Sequence, residues 1–325
     1  MSGNLVDDVL GTAREGKPRE NGITVASDLL RSVDSGLLEQ IAEYIDVVKI
    51  GLGAPLVLER SRLLERIHRY HDLGIRVMCG GTSVEVAVQK GVVPQVLEGL
   101  RALGFDMIEV SEHAGKIPLE AKREIASSIA KLSMEYIFEV GSRDRPATSA
   151  DSTIPRIREA FELKSRRVVV EVPQEDRRTV REDARGEIRW DVLDEVVGAF
   201  GPPNLIFETG RMGQLTALIL EFGLTVNLAG VPLDDVLILE MERLGLTTET
   251  LGLSRPLQSF EGSPAAKFIY HLIRSEHPID QATLGLRSGL PRRTVQAALN
   301  SLVGNGLVRE VSDAADLRRH RYTIR

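Results

Sequence analysis

Three short apolar runs in this chain each carry a glutamate at the same relative place: YIFEVG at 136–141 with Glu139, VVVEV at 168–172 with Glu171, and LIFETG at 205–210 with Glu208. A carboxylate in a strand that is otherwise apolar is costly to bury unless it is paired, so three at matched positions predict strand ends that converge on something polar. The same logic picks out Asp28 in GITVASD, Lys49 in YIDVVKIG, Thr82 after GIRVMCGG, Glu109 and Ser111 in MIEVSE, and Asn227 in TVNLAGV. Four glutamates and an aspartate gathered around one lysine would repel one another unless protons, hydrogen bonds or cations offset them. A divalent metal such as Mg2+ is the natural counter-ion. Lys49 itself must pair with Asp46 or a neighbouring glutamate, or serve as a charge for a bound anion. Cys79 is the single cysteine, which leaves neither an internal disulfide nor a cysteine-based zinc cluster, and with six scattered histidines the expected ligands for a metal are oxygens.

The elements that must position these residues repeat along the chain. Eight strand-like runs, from GITVASD at 22–28 to TVNLAGV at 225–231, alternate with helical segments such as LLERIHRYHDL, VPQVLEGLRALG, EIASSIAKLSM and WDVLDEVVGAF. Such alternation predicts an α/β fold, a (β/α)8 TIM-type barrel; the competing doubly wound sheet lacks a G-x-G-x-x-G after the first strand. Barrel enzymes place their chemistry at the C-terminal strand ends, where each of the polar residues above would arrive.

A change in charge marks a second domain. Residues 261–325 hold ten Lys plus Arg against six Asp plus Glu, a net +4, so the other 260 of the 325 residues carry -10 of the total -6. The expected division is a barrel over 1–257 and a winged helix-turn-helix domain over 258–325: three helices (SPAAKFIYHLIRSEH, DQATLGLRSGL, PRRTVQAALNSLVGNG) and two strands in LVREVSDAADLRRHRYTIR. On that reading Arg292, Arg293 and Gln296 enter the major groove of double-stranded DNA, and Arg318, Arg319 and Arg321 lie along phosphate or in the minor groove. A protein partner for the same surface is the other possibility. No apolar run reaches the roughly 20 residues of a membrane span, and the N-terminus lacks the pattern of a signal peptide, so a cytoplasmic protein is expected.

Over roughly residues 15–247 the chain resembles the phosphosulfolactate synthase (ComA) family. The resemblance runs through KPRENGIT, the strand ending in Asp28, DVVKIGLG, GGTSVEVAVQKG, GFDMIEVSE, FEVG, FET followed by Gln214, FGLTVNLAGV and LEMERLGL. It implies a barrel enzyme that adds sulfite to phosphoenolpyruvate with Mg2+, giving (2R)-phospho-3-sulfolactate in a route to coenzyme M, and an oligomer. Carried onto this chain, it implies Lys49, Glu109 and Glu139 in catalysis. Taken together with the strand-end residues and the arginines after FEVG and FET, which can hold an anion bidentately, the candidates for substrate binding are Lys17, Arg19, Thr82, Arg143, Arg211, Gln214 and Asn227, and for metal binding Asp28, Glu171 and Glu208. The chain departs from the family pattern after E-V-G, where Ser142 and Arg143 replace an expected lysine, and after FET, where Gly210 to Gly213 stand. Those departures raise the alternative of a catalytically altered barrel that senses a metabolite for a DNA-binding tail.

Overall fold

The computed structural model describes residues 15–30, 35–141, 149–173, 188–251, 262–276, 278–313 and 316–324, the side chains of 274–276, 312–319 and 324 excepted. Two compact units emerge: Ile23–Leu215 with Asn227–Leu237, and the described residues of Met1–Gly22, Thr216–Val226 and Ile238–Arg325. The division expected between residues 257 and 258 falls in 252–261, outside the described residues.

The first unit is built on a closed, all-parallel barrel of eight strands in sequential order. Its succession is β1 (Thr24–Asp28), α1 (Ser35–Ile41), β2 (Val47–Ile50), α2 (Arg60–Asp72), β3 (Arg76–Cys79), α3 (Thr82–Lys90), α4 (Val93–Ala102) and β4 (Met107–Val110). It continues through α5 (Leu119–Lys131), β5 (Glu135–Val140), α6 (Ala150–Glu162), β6 (Val168–Glu171), α7 (Trp190–Phe200), β7 (Leu205–Glu208) and β8 (Leu228–Pro232), with α8 (Met212–Phe222) and α9 (Val236–Arg243) beginning in this unit and passing into the second at Thr216 and Ile238. Each of the eight apolar runs read from the sequence overlaps one of these strands, β5 starting one residue before its run and β8 ending one residue after. No helix among the described residues is long and apolar enough to cross a membrane.

The barrel's interior explains why charge appears where it does. Val25, Val47, Met78, Met107, Ile137, Val169, Ile206 and Ala229, with Ile23, form one buried apolar cluster that draws a residue from every strand. Strand side chains alternate with period two, so the residue two positions on faces the same way. On five strands that next residue is charged: Val47 leads to Lys49, Met107 to Glu109, Ile137 to Glu139, Val169 to Glu171 and Ile206 to Glu208. An apolar plug thus fills the lower barrel, and a charged layer lies immediately above it toward the C-terminal strand ends.

The second unit carries α10 (Pro264–Glu276), β9 (Ile279–Asp280), α11 (Gln281–Ser288), α12 (Arg292–Gly304), β10 (Val308–Asp313) and β11 (Asp316–Ile324). The helix punctuation follows the sequence: Ser263 Oγ accepts from Ala266 N at 3.2 Å to start α10, and Gly289, at φ 65°, closes α11. The two expected strands pair antiparallel, and the two-residue β9 adds a third, giving the order β10-β11-β9. Val295, Ala298, Leu299 and Leu302 form the buried face of α12.

Candidate active site

Lys49 is the centre of the charged layer. From β2 its ammonium crosses the barrel lumen to donate to Glu208 Oε1 and Oε2 on β7, both at 2.7 Å, and to Glu109 Oε2 on β4 at 2.9 Å. All three residues are buried. Burial alone would lower the lysine's pKa, but Glu109, Glu208 and Glu139 together override it and raise the value well above the ordinary lysine range. Lys49 is therefore a fixed cation and not a proton donor at neutral pH. Asp46, the other partner weighed for it, sits before β2 and accepts from Thr24 N at 2.9 Å instead.

Glu109 is also held by the backbone, Gly81 N donating to its Oε1 at 3.0 Å. Burial first, and then the adjacent Glu139 carboxylate, push its pKa up, with Lys49 pulling the other way. The net effect favours a retained proton on Glu109. The close approach requires glycine: a Cβ on Gly81 would meet Ser111 Cβ at 2.7 Å and Ser111 N at 2.9 Å.

Two residues join the site that the strand pattern did not single out. His113, in the loop after β4, places Nε2 3.1 Å from Glu139 Oε1 on β5, its side chain 27 % exposed. Contact with Glu139 is the main cause that pushes the imidazole pKa up to about 9, against the opposing effect of burial and with smaller help from Glu139's charge, Glu171 and Glu85. Glu85, buried in the first turn of α3, accepts from Ser111 Oγ, from His113 N at 3.1 Å and from Ala114 N at 2.5 Å, and so fixes the loop that carries His113. Both lie where a barrel puts chemistry, just past a strand end, and that location was the available signal.

Glu171 approaches this pair at the edge of the layer. Ligand atoms of His113, Glu139 and Glu171 all lie within 4.8 Å of one another, as do those of Glu109, Glu139 and Glu208. Counting formal charges, Glu109, Glu139, Glu171 and Glu208 contribute -4 and Lys49 and His113 contribute +2, leaving -2 before any shared proton.

Other expected site residues lie elsewhere. Asp28, expected among the metal ligands, is buried at the end of β1, where Arg66 of α2 holds both its oxygens (Nε to Oδ2 at 2.5 Å, Nη2 to Oδ1 at 2.8 Å). Tyr70 OH and Leu30 N donate to it as well, each at 2.8 Å. A carboxylate with four donors ties β1 to α2 and has little capacity left for a metal. Asn227, expected at the substrate, precedes β8 and so stands at the opposite, N-terminal end of the barrel. There its Oδ1 accepts from Ile23 N at 3.0 Å and its Nδ2 donates to Leu205 O at 3.0 Å and Pro203 O at 3.3 Å, clasping β7, β8 and β1. Glu208, expected as a metal ligand, has both oxygens on Lys49.

Thr82 is exposed at the first residue of α3, and Arg211 is exposed in the turn after β7. Gln214 is buried beneath that turn, where its Oε1 accepts from Thr209 Oγ1. Lys17 and Arg19 belong to the second unit; Arg19 Nε donates to Glu15 O at 2.7 Å. Arg143 lies outside the described residues. In the second unit Arg292, Arg293 and Gln296 are exposed on α12, Gln296 Nε2 donating to Asn300 Oδ1 at 3.1 Å. Arg321 is half-buried on β11 opposite Asp280 of β9, whose pKa its charge helps to lower. The side chains of Arg318 and Arg319 are outside the described set.

The sequence is similar to known proteins over the barrel. A family model described as (2R)-phospho-3-sulfolactate synthase (ComA) matches residues 12–249, short of α10 and all that follows it. Phosphosulfolactate synthase of Methanocaldococcus jannaschii is 31 % identical over 239 residues, 72 % of this chain and 95 % of that protein. The Bacillus subtilis protein of that name is 30 % identical over 254 residues, 74 % and 96 % of the two chains. A more distant relative, Protein HEAT-STRESS-ASSOCIATED 32 of Arabidopsis thaliana, is 23 % identical over 247 residues, 66 % of this chain and 83 % of that one.

Proposed function

The chain belongs to the (2R)-phospho-3-sulfolactate synthase (ComA) family, and from that premise we propose that its barrel adds sulfite to phosphoenolpyruvate to give (2R)-phospho-3-sulfolactate. The observation that carries the proposal is the buried Lys49, held at the C-terminal mouth by Glu109 and Glu208. In the reaction a sulfite lone pair forms a bond to the methylene carbon of the enol phosphate. The π pair of the carbon–carbon double bond moves to the neighbouring carbon and its carboxylate, and a proton is delivered to that carbon. Phosphate remains attached.

Each step has a group suited to it. Lys49, permanently charged, stabilises the negative charge that develops on the carboxylate, in a buried setting where such an interaction is strong. Glu109, on which burial and the neighbouring Glu139 charge favour a retained proton, is the proton source in place of the lysine the resemblance leads one to expect after E-V-G. Exposed Arg211 and Thr82 on the rim are suited to the phosphate and sulfonate groups. The mouth also fits a divalent cation: the residual formal charge is negative, and ligand atoms of His113, Glu139 and Glu171 lie within 4.8 Å of one another. Glu139 and Glu171 would hold it, and Mg2+, when bound, supplies Lewis-acid stabilisation of the forming carboxylate charge. Loss of the enol phosphate from a mixture of purified protein, phosphoenolpyruvate, sulfite and Mg2+ tests the proposal; a folded, metal-loaded sample that consumes none refutes it.

For the second unit we propose a winged-helix domain that binds duplex DNA. Three helices, a small antiparallel sheet and exposed Arg292 and Arg293 beside Gln296 at the start of α12 support this reading. A homo-oligomer is proposed as well, on the exposed Leu237, Ile238 and Met241 of α9. Light scattering on the purified chain decides it, and a monomer at micromolar concentration counts against it.

A further inference from the structure

The charged layer offers two places for a cation, and they are not equivalent. Glu109, Glu139 and Glu208 form an all-oxygen set, the kind Mg2+ favours. Lys49 Nζ already stands at 2.7 Å from Glu208 and 2.9 Å from Glu109, so a metal there would meet an ammonium at contact range. His113, Glu139 and Glu171 form the other set, with a nitrogen among the donors and no lysine between them. Nε2 of His113 and Oε1 of Glu139 are 3.1 Å apart. A six-coordinate ion with bonds of about 2.1 Å sets neighbouring ligand atoms about 3 Å from one another. Glu139 Oε1 is buried, its side chain 3 % exposed, and faces the His113 imidazole, with the ligand atoms of Glu171 within 4.8 Å of both.

We propose that His113, Glu139 and Glu171 form a mixed nitrogen and oxygen metal site that prefers Mn2+ or another first-row transition ion to Mg2+. Imidazole suits the borderline transition metals, whereas Mg2+ is bound through carboxylates, carbonyls and water, so replacing one oxygen by His113 shifts the choice of ion. Glu85 contributes as a positioning residue: by accepting from His113 N and Ala114 N it holds the loop from which the imidazole reaches Glu139. The inference deepens the metal site proposed above and rests on that placement, but it concerns binding and needs no substrate. It differs from the expectation of an all-oxygen ligand set, because one of the scattered histidines, His113, stands beside Glu139 in the fold.

The test uses the full chain, freed of metal with EDTA and titrated with MnCl2 while the signal of aqueous Mn2+ is followed by electron paramagnetic resonance; MgCl2 is then added in competition. The expected result is one Mn2+ bound about tenfold or more tightly than Mg2+. His113→Gln should lose about 10- to 100-fold in Mn2+ affinity while Mg2+ affinity stays within about threefold. Pulsed measurements on the wild-type Mn2+ complex should show coupling to an imidazole nitrogen, a readout that does not depend on any variant folding. Equal affinity for the two ions, unchanged Mn2+ binding in His113→Gln, or no nitrogen coupling would each overturn the proposal. Mn2+ binding as described without turnover of phosphoenolpyruvate and sulfite would sink the reaction and leave the site standing; turnover with Mg2+ and no nitrogen coupling would do the reverse.

Discussion

Lys49 holds two buried carboxylates in the folded barrel, and in the proposed reaction it would stabilise the developing charge as well. Lys49→Ala would leave Glu109 and Glu208 buried without their cation, a loss of about 3–5 kcal/mol in stability by the usual cost of breaking a buried pair. Turnover should fall by about 100- to 1000-fold where the variant stays folded. Urea unfolding and steady-state kinetics measure the two effects; Lys49→Ala with Glu208→Gln should recover part of the stability and none of the turnover. His113 gives a pH signature in the metal-free protein. Its folded pKa, pushed up to about 9, lies above the ordinary value of 6.5, so the stabilisation is fully present below about 6.5 and is lost as pH rises through about 9. Thermal unfolding between those limits should show that decline in the wild type and lack it in His113→Gln. Lys49 and the glutamates were legible in the sequence because a charge in a strand of period two must face either the lumen or the helices, and the apolar neighbours decide which. Asp28 was not, because its partner Arg66 is brought to it from another element by the fold alone.

At the scale of elements, the eight strands were readable because each is a short apolar run bounded by a helical segment. Which end of a strand a residue occupies depends on a boundary of one or two positions, and sequence patterns locate such boundaries poorly. Asn227 shows the consequence: in TVNLAGV it is one residue before β8, so it clasps the N-terminal ends of three strands and stands at the face opposite the mouth. Asn227→Ala should accordingly destabilise the barrel by about 1–3 kcal/mol, by orphaning the Ile23 amide and the Leu205 carbonyl. The KM values for phosphoenolpyruvate and sulfite should not change. A raised KM with unchanged stability would return Asn227 to the substrate. β9 was invisible for a different reason, since two residues, Ile279 and Asp280, carry no periodicity and become a strand only through pairing with β11.

At the scale of the whole molecule, the proposals give the acidic 260 residues and the basic 261–325 segment different tasks. If α12 enters a major groove, binding to duplex DNA must fall steeply between about 50 and 200 mM salt, and Arg292→Ala with Arg293→Ala must flatten that dependence; no binding at about 50 mM salt would remove DNA as the partner. The barrel's task is decided by chemistry. The most direct measurement is a nuclear magnetic resonance assay of the full chain with divalent metal, sulfite and phosphoenolpyruvate labelled with 13C at the methylene carbon, run in D2O. The account predicts a single product in which the labelled carbon is bonded to sulfur, the adjacent carbon bears one deuterium and phosphate is retained. Unreacted enol phosphate in a folded, metal-loaded sample, or release of free phosphate without a carbon–sulfur bond, would contradict it.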